Sequence, residues 1–266
     1  MLKVRVMSAI LLVSLIMFIL FFKGLYLYLF VALLSLAGLF EYFKAMKNVH
    51  ISANRGFGYT AVIIYYMMFL LPIKFERPGF LAVFSVIALF AYEILTLKHN
   101  ITEIAITLLG IIYIPYLFSH LIFIERLKYG NIILWLPFLT AWFTDTCAYF
   151  IGIGYGKTKL CPKVSPKKTV EGAIGGVVGC IGLNLVYGLL VKSMGYDIGI
   201  QHFIITGFLC SIASEFGDLA ASYIKRFTGV KDFGRIIPGH GGILDRFDSI
   251  LFTAPVVYYY FLFWGI

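Results

Sequence analysis

The chain has 266 residues, 61% of them hydrophobic and 13% charged, with a mean hydropathy of +0.93 and a formal net charge of +9. Soluble domains carry about 25% charged and 45–50% apolar residues, so this composition excludes a soluble globule and implies an integral membrane protein. The four cysteines (Cys147, Cys161, Cys180 and Cys210) have no CxxC spacing, and three lie in apolar segments, which argues against a disulfide framework or a zinc site.

An apolar helix needs about 20 residues to cross the hydrocarbon. On that rule the sequence predicts an all-α fold with about nine transmembrane helices, over 4–22, 25–43, 56–72, 78–96, 101–124, 131–153, 172–191, 200–224 and 246–266. Lys3 and Arg5 precede the first run as they would in a signal peptide, but no small-residue cleavage site follows, and a retained helix is expected. Only Lys23-Gly24 separates the first pair, which reads as a tight helical hairpin. The third span is the weakest and ends at Pro72. Residues 1–130, with five spans, read as scaffold. Residues 131–266, with four spans and two basic loops, read as the catalytic region.

In the first region Glu41, near Lys44, and Glu93, near a span's end, are expected to be interfacial or snorkelling carboxylates. The sixth span places Asp145 among apolar residues in Trp142-Phe143-Thr144-Asp145-Thr146. An intramembrane charge is costly and marks a functional position, or else an ion pair with a neighbouring helix.

Loop 154–171 starts with Gly154-Tyr155-Gly156-Lys157-Thr158, but a phosphate-binding GxxxxGK[ST] loop needs glycine at 151, where the chain has Ile151. Further on, Ser165-Pro166-Lys167-Lys168-Thr169 stands just ahead of an expected helix start. Lysines and a hydroxyl at a helix N-terminus form an anion site, because backbone N–H groups and the helix dipole add to the fixed charge. The seventh span opens with Gly172, Gly175, Gly176, Gly179 and Gly182, small-residue spacings that permit close helix packing.

In the eighth span Ser211, Ser214, Glu215, Asp218, Ser222 and Lys225 fall on one stripe at about 100° per residue. Such a stripe in a membrane helix should face a watery cavity. Ser222–Asp248 is the longest polar, glycine-rich interval, with five cations, three aspartates and His240 between glycines. Glycine permits positive φ and close approach to a ligand. Asp245 and Asp248, three residues apart, share a helix face if the helix has begun there, and Asp218, deeper than the basic loop, is expected to meet them at the head of the ninth span. Three convergent carboxylates repel one another unless a divalent cation sits between them.

Loop charge fixes a predicted orientation. The N-terminus and even-numbered loops hold 16 of the 22 lysines and arginines, and the odd-numbered loops hold 6. The positive-inside rule then puts the N-terminus and both long basic loops in the cytoplasm, and the C-terminus outside.

Ser222-x-Ile224-Lys225-Arg226, Lys231-Asp232-x-Gly234 and Pro238-x-His240-Gly241-Gly242-x-x-Asp245-Arg246-x-Asp248 resemble, without departure, the signature of the phosphatidate cytidylyltransferases (CDP-diacylglycerol synthases). Ser165-Pro166-x-Lys168-Thr169-x-x-Gly172 and Gly217-Asp218 also resemble motifs of that family. The resemblance implies the reaction of CTP with phosphatidic acid to give CDP-diacylglycerol and pyrophosphate, at a cytoplasm-facing site in a bacterial-type inner membrane. It implies Mg2+, with room for a second cation, on Asp218, Asp245 and Asp248, with Asp145 in second rank. Lys225 and Arg226 are expected beside the reacting phosphates. Ser165, Lys167, Lys168, Thr169, Ser222, Lys231, Asp232, His240, Gly241, Gly242 and Arg246 are expected to hold substrate. The expected partners are CTP, phosphatidic acid, membrane lipids and a second copy of the chain, with no nucleic acid. Two other readings fit the residues less well: a CTP-dependent lipid kinase of the polyprenol or phytol type, yielding CDP, and a transporter.

Overall fold

The computed structural model describes residues 2–71 and 79–266, with side chains from residue 5 onward. Helices α1 (Leu2–Phe22), α2 (Gly24–Lys47), α3 (Arg55–Leu70) and α4 (Phe80–Thr96) come first. They are followed by α5 (Ile101–Ile111), a π-helical turn (Ile112–Tyr116) and α6 (Leu117–Glu125). Then come α7 (Gly130–Ile133), α8 (Leu136–Tyr155), strands β1 (Lys159–Cys161) and β2 (Ser165–Thr169), α9 (Val170–Ser193), α10 (Ile200–Phe227) and α11 (Leu244–Trp264).

The helices follow the apolar runs closely. Among the described residues, seven stretches are long and apolar enough to span a membrane. Helices α3 and α4 have 16 and 17 residues, short of the roughly 20 that a full crossing requires. Pro72, the expected end of the third span, lies outside the described residues, as does residue 78, the expected start of the fourth. Large apolar side chains such as Leu11, Leu33 and Phe263 are exposed on the longer helices, as a hydrocarbon surrounding rather than water would favour.

Local chemistry explains the joints. Lys23 and Gly24 both have positive φ, 53° and 52°, which makes the turn between α1 and α2. Pro115 has no N–H to donate, and the wider π turn around it lets Ile101–Glu125 continue as one apolar stretch. The expected loop 154–171 contains a short antiparallel hairpin, pairing Lys159 with Thr169 and Cys161 with Ser165, so the fold is not wholly helical.

The chain forms two compact units. One comprises residues 1–123 with 225–247, and the other residues 124–224 with 248–266; α10 and α11 contribute to both. In the first unit Leu27, Val31, Leu39, Tyr42, Val62, Ile111 and Phe118 are fully buried. Gly110 fits against Tyr42, and Gly58 against Phe43, where a Cβ would not. Glu93 is no snorkelling carboxylate: it is 4% exposed, accepts from Asn54 Nδ2 at 2.8 Å and lies 2.7 Å from His99 Nδ1. Asn54 also caps α3 by accepting from Phe57 N. A buried carboxylate costs least when such partners surround it, and the apolar sequence near Glu93 gave no sign of Asn54.

In the second unit α9 packs tightly on α8. A side chain at Gly175 would strike Ile151, one at Gly179 would strike Cys147, and a Cβ at Gly176 would stand 3.0 Å from Thr144 O. The glycine spacing in the sequence thus acts as a packing seam.

Candidate active site

The hairpin sets the first half of the site. On β2 Lys167 is exposed, Lys168 is half-buried and Thr169 is buried, so the strand sinks into the protein toward its end. The strand ends in Thr169, whose Oγ1 accepts from Gly172 N at 3.1 Å and so caps α9. The Glu171 carboxylate accepts from Lys157 N and Thr158 N at 3.1 Å, which fastens the start of the hairpin to the same helix end.

Glu215 and Asp218, one turn apart on α10, present two carboxylates to Lys168. Its Nζ lies 2.5 Å from Glu215 Oε2 and 2.7 Å from Asp218 Oδ2. Burial alone would lower the Lys168 pKa, but attraction to Asp218 and Glu215 outweighs it and holds the ammonium well above its usual range. The three groups line a cavity of about 600 Å³, together with Asp145, Tyr149, Lys159, Lys167 and Thr169. Of the expected site residues, Asp145, Lys167, Lys168, Thr169 and Asp218 therefore share one cavity. Ser165 and Ser222 are partly exposed residues of the same unit.

Glu215 lies on the polar stripe of α10, and the sequence alone gives it no separate role. Its signal was spacing: it is the one other carboxylate on the stripe, a turn from Asp218. Gly217 serves a different end, since a Cβ there would collide with the Asp248 carbonyl of α11. Asp248 is 8% exposed, and its Oδ1 accepts from Ser249 N at 2.8 Å.

The first unit holds the remainder of the signature. Asp245 Oδ1 lies 2.8 Å from Lys225 Nζ, and Oδ2 accepts from Phe233 N at 2.8 Å and Gly242 N at 3.0 Å. Lys225 also stands over the Phe233 ring, 5.6 Å from its centroid. His240 Nδ1 lies 2.8 Å from Ser8 Oγ of α1, and the His240 carbonyl accepts from Arg246 Nε at 2.7 Å. Arg226, Lys231, Asp232 and Arg246 are exposed.

The loop glycines have a use that the sequence did not disclose. Gly239 and Gly241 take positive φ, 78° and 91°, as expected. Gly239 lies against Arg5, and around Gly234, Gly241 and Gly242 the chain's own carboxylates lie close. A Cβ at Gly241 would stand 3.0 Å from Asp245 Oδ2, and one at Gly234 or Gly242 would run into Glu41. Glu41 itself is 1% exposed and accepts from Ile243 N and Leu244 N at 3.0 Å each. The expectation of a snorkelling carboxylate there is corrected: Glu41 is buried and bonded at the start of α11.

A model of the cytidylyltransferase family matches residues 3–264. The chain belongs to the cytidylyltransferase family. It is 40% identical to a phosphatidate cytidylyltransferase of Bacillus subtilis over 202 residues, covering 72% of this chain and 74% of the relative. It is 35% identical to a phosphatidate cytidylyltransferase of Staphylococcus haemolyticus over 261 residues, covering 96% and 97% of the two.

Nucleotide chemistry in a cytidylyltransferase raises the question of a divalent cation. Among the described residues no group of three or more His, Cys, Asp or Glu is gathered as a metal cage. Mg2+ seldom needs one, since it commonly takes one or two carboxylates together with substrate phosphates and water. Asp145, Glu215 and Asp218 are hard oxygen donors lining one cavity, and this donor set fits such an ion.

Proposed function

We propose that this membrane cytidylyltransferase transfers the cytidylyl group of CTP to phosphatidic acid, giving CDP-diacylglycerol and pyrophosphate. The observation that carries the reading is the cavity in which Lys168 meets Glu215 and Asp218, within a chain that matches the family from residue 3 to 264. The lipid phosphate is already anionic near neutral pH, so it attacks the α-phosphorus of CTP without a strong general base, and the bond to pyrophosphate breaks in line. The chain's task is then to position the two phosphates and offset their charge.

Lys168 would release its carboxylates to meet phosphate oxygens, assisted by Lys167 and Lys159 on the same cavity wall. Asp218, with Asp145 in second rank, would hold Mg2+, and Glu215 joins them as a candidate. Bound there, Mg2+ would neutralise charge on the phosphates as a Lewis acid. In the other unit Lys225, Asp245, His240 and the flanking glycines would shape the signature loop, with Arg226, Lys231, Asp232 and Arg246 as its exposed polar contacts. Asp245 and Asp248 keep their places as candidate metal residues. Thr169 and Ser165 would serve through the hairpin.

The decisive experiment supplies purified full-length protein with phosphatidate, Mg2+ and CTP labelled at either the α- or the γ-phosphorus. Label from the α-position is expected in the lipid phase and label from the γ-position in pyrophosphate. Lipid carrying γ-label, with CDP released, would overturn the reading. We also propose an inner-membrane enzyme with its basic loops in the cytoplasm, motivated by the 16 to 6 division of loop cations. In a cysteine-free background, Arg235→Cys should react with an impermeant thiol reagent from the cytoplasmic side alone, and Ile266→Cys from the opposite side.

A further inference from the structure

A buried carboxylate from the second helix takes no part in the reaction proposed above, yet it grips the segment that carries Asp245. Glu41 lies in α2, and both of its oxygens accept backbone N–H groups at the head of α11: Ile243 N on Oε1 and Leu244 N on Oε2, 3.0 Å each. These donors precede Asp245 by two residues and one. Leu244 opens α11 and Ile243 immediately precedes it, and the unpaired N–H groups and dipole at a helix start favour a negative charge.

The surroundings are built around this carboxylate. Gly234 and Gly242 leave no room for a Cβ, because the Glu41 side chain occupies the space on both. Gly38, one turn before Glu41 on the same helix, admits Leu244 with a clearance of 3.1 Å from where a Cβ would sit. On the other side of the turn Asp245 Oδ2 accepts from Gly242 N and Phe233 N. The signature loop is thus pinned from both sides. Asp245 ties residues 225, 233 and 242 together, and Glu41 ties residues 243 and 244 to α2.

We infer that Glu41 is a positioning residue for the signature loop, holding the first turn of α11 so that Asp245 is presented in one fixed orientation. The reach of this inference to catalysis rests on the reading of Asp245 given under the proposed function.

The test uses full-length protein in detergent, carrying Glu41→Gln or Glu41→Ala, with Glu93→Gln as the control. Glu93 is an equally buried carboxylate of the same unit, but it bonds Asn54 and His99 instead. Glutamine keeps the volume and one acceptor oxygen, but it turns an N–H toward one of the two backbone donors. Amide exchange at Ile243 and Leu244 is expected to rise on the order of tenfold in Glu41→Gln and further in Glu41→Ala, with α2 and α3 unchanged. Turnover should fall in the same order, on the order of ten- to a hundredfold, and the Mg2+ concentration for half-maximal rate should rise. Glu93→Gln should change neither the loop's exchange nor its Mg2+ requirement.

Unchanged exchange at Ile243 and Leu244 in Glu41→Gln would overturn the inference. So would exchange that rises equally throughout the unit, which would make Glu41 a general stabiliser, or a Mg2+ requirement that stays at the wild-type value. Glutamine alone is enough for each of these outcomes, should the alanine variant fail to fold. If the wild-type protein puts no label into lipid, the reading of the reaction falls, while the exchange experiment still decides whether Glu41 holds the turn.

Discussion

Two lysines anchor the polar half of this molecule, and their settings differ. Lys225 meets one carboxylate, Asp245, whose side chain is 3% exposed and already accepts two backbone N–H groups. Lys168 meets two carboxylates, Glu215 and Asp218, with exposures of 10% and 29%, on the wall of a cavity of about 600 Å³. The first cluster is neutral and closed. The second carries one excess negative charge and is open to a ligand. A sequence pattern of lysines and aspartates cannot separate these cases, because the difference lies in what else each carboxylate accepts. A carboxylate whose lone pairs are already taken must give up bonds within its own loop to take a metal, whereas one with spare lone pairs facing a cavity can exchange its lysine for a metal or yield that lysine to a phosphate.

The contrast can be broken most forcefully at Lys225. Removing one partner of a buried pair leaves the other charge uncompensated and costs about 3–5 kcal/mol. Lys225→Met should therefore lower unfolding stability in detergent by an amount of that order and reduce activity along with it. Lys168→Met should leave stability much closer to wild type, since solvent reaches Asp218 and Glu215 through the cavity. Equal losses of stability in the two variants would erase the distinction between a closed cluster and an open one.

Asp218 comes next. Asp218→Asn keeps the shape of the side chain and removes the charge of the most exposed carboxylate in the open cluster. Turnover is expected to fall on the order of a hundredfold or more, with insertion and purification yield unaffected. Activity within a few-fold of wild type at limiting Mg2+ would remove Asp218 from the candidate metal site.

How much of this could be read from the chain follows from the range of each interaction. Spans from 101 onward start and stop within a few residues of the expected bounds, because hydropathy and the need to satisfy the backbone in lipid are local constraints. A role for Lys168 could be suspected from its motif, but the hairpin that carries it, as short as Lys159–Cys161 and Ser165–Thr169, leaves little trace in a segment crowded with lysine and proline. Glu41 was beyond reach. Its bonded donors lie 202 and 203 residues further along the chain, while its one obvious neighbour in sequence was Lys44. Nor does the sequence show that Glu41 stands against Gly234 and Gly242, or Asp245 against Gly241.

Within the hairpin itself the comparison becomes finer. Lys157, Lys159 and Lys168 lie in the same basic segment, but Lys168 alone among them bonds Glu215 and Asp218; Lys159 lines the cavity, and Lys157 offers its backbone N–H to Glu171. A cation lost from a phosphate contact costs about 1.5–3 kcal/mol, or on the order of ten- to a hundredfold in kcat/KM. Lys168→Ala should lose that much and Lys159→Ala less, while Lys157→Ala should stay within about twofold of wild type. Equal losses in all three would mean that the segment acts through its overall field.

The smallest expected effect is the absence of one. The Lys168 pKa is raised in the folded protein, because its two carboxylates outweigh the burial that would lower it. A raised pKa contributes stability that is fully present below the unfolded value, about 10.4 for lysine, and is lost as pH climbs through the folded value. Between pH 7 and pH 10 the ammonium should therefore stay charged in the resting protein. The ratio of wild-type to Lys168→Met kcat/KM for CTP, which refers to the free enzyme, should then be flat across that window. Taking the ratio cancels ionisations of CTP, phosphatidate and other residues, which act on both proteins alike. A ratio that collapsed toward one by pH 9 would show Lys168 losing its proton within the window. The open cluster would then lack the charge attraction that sets it apart from the closed one.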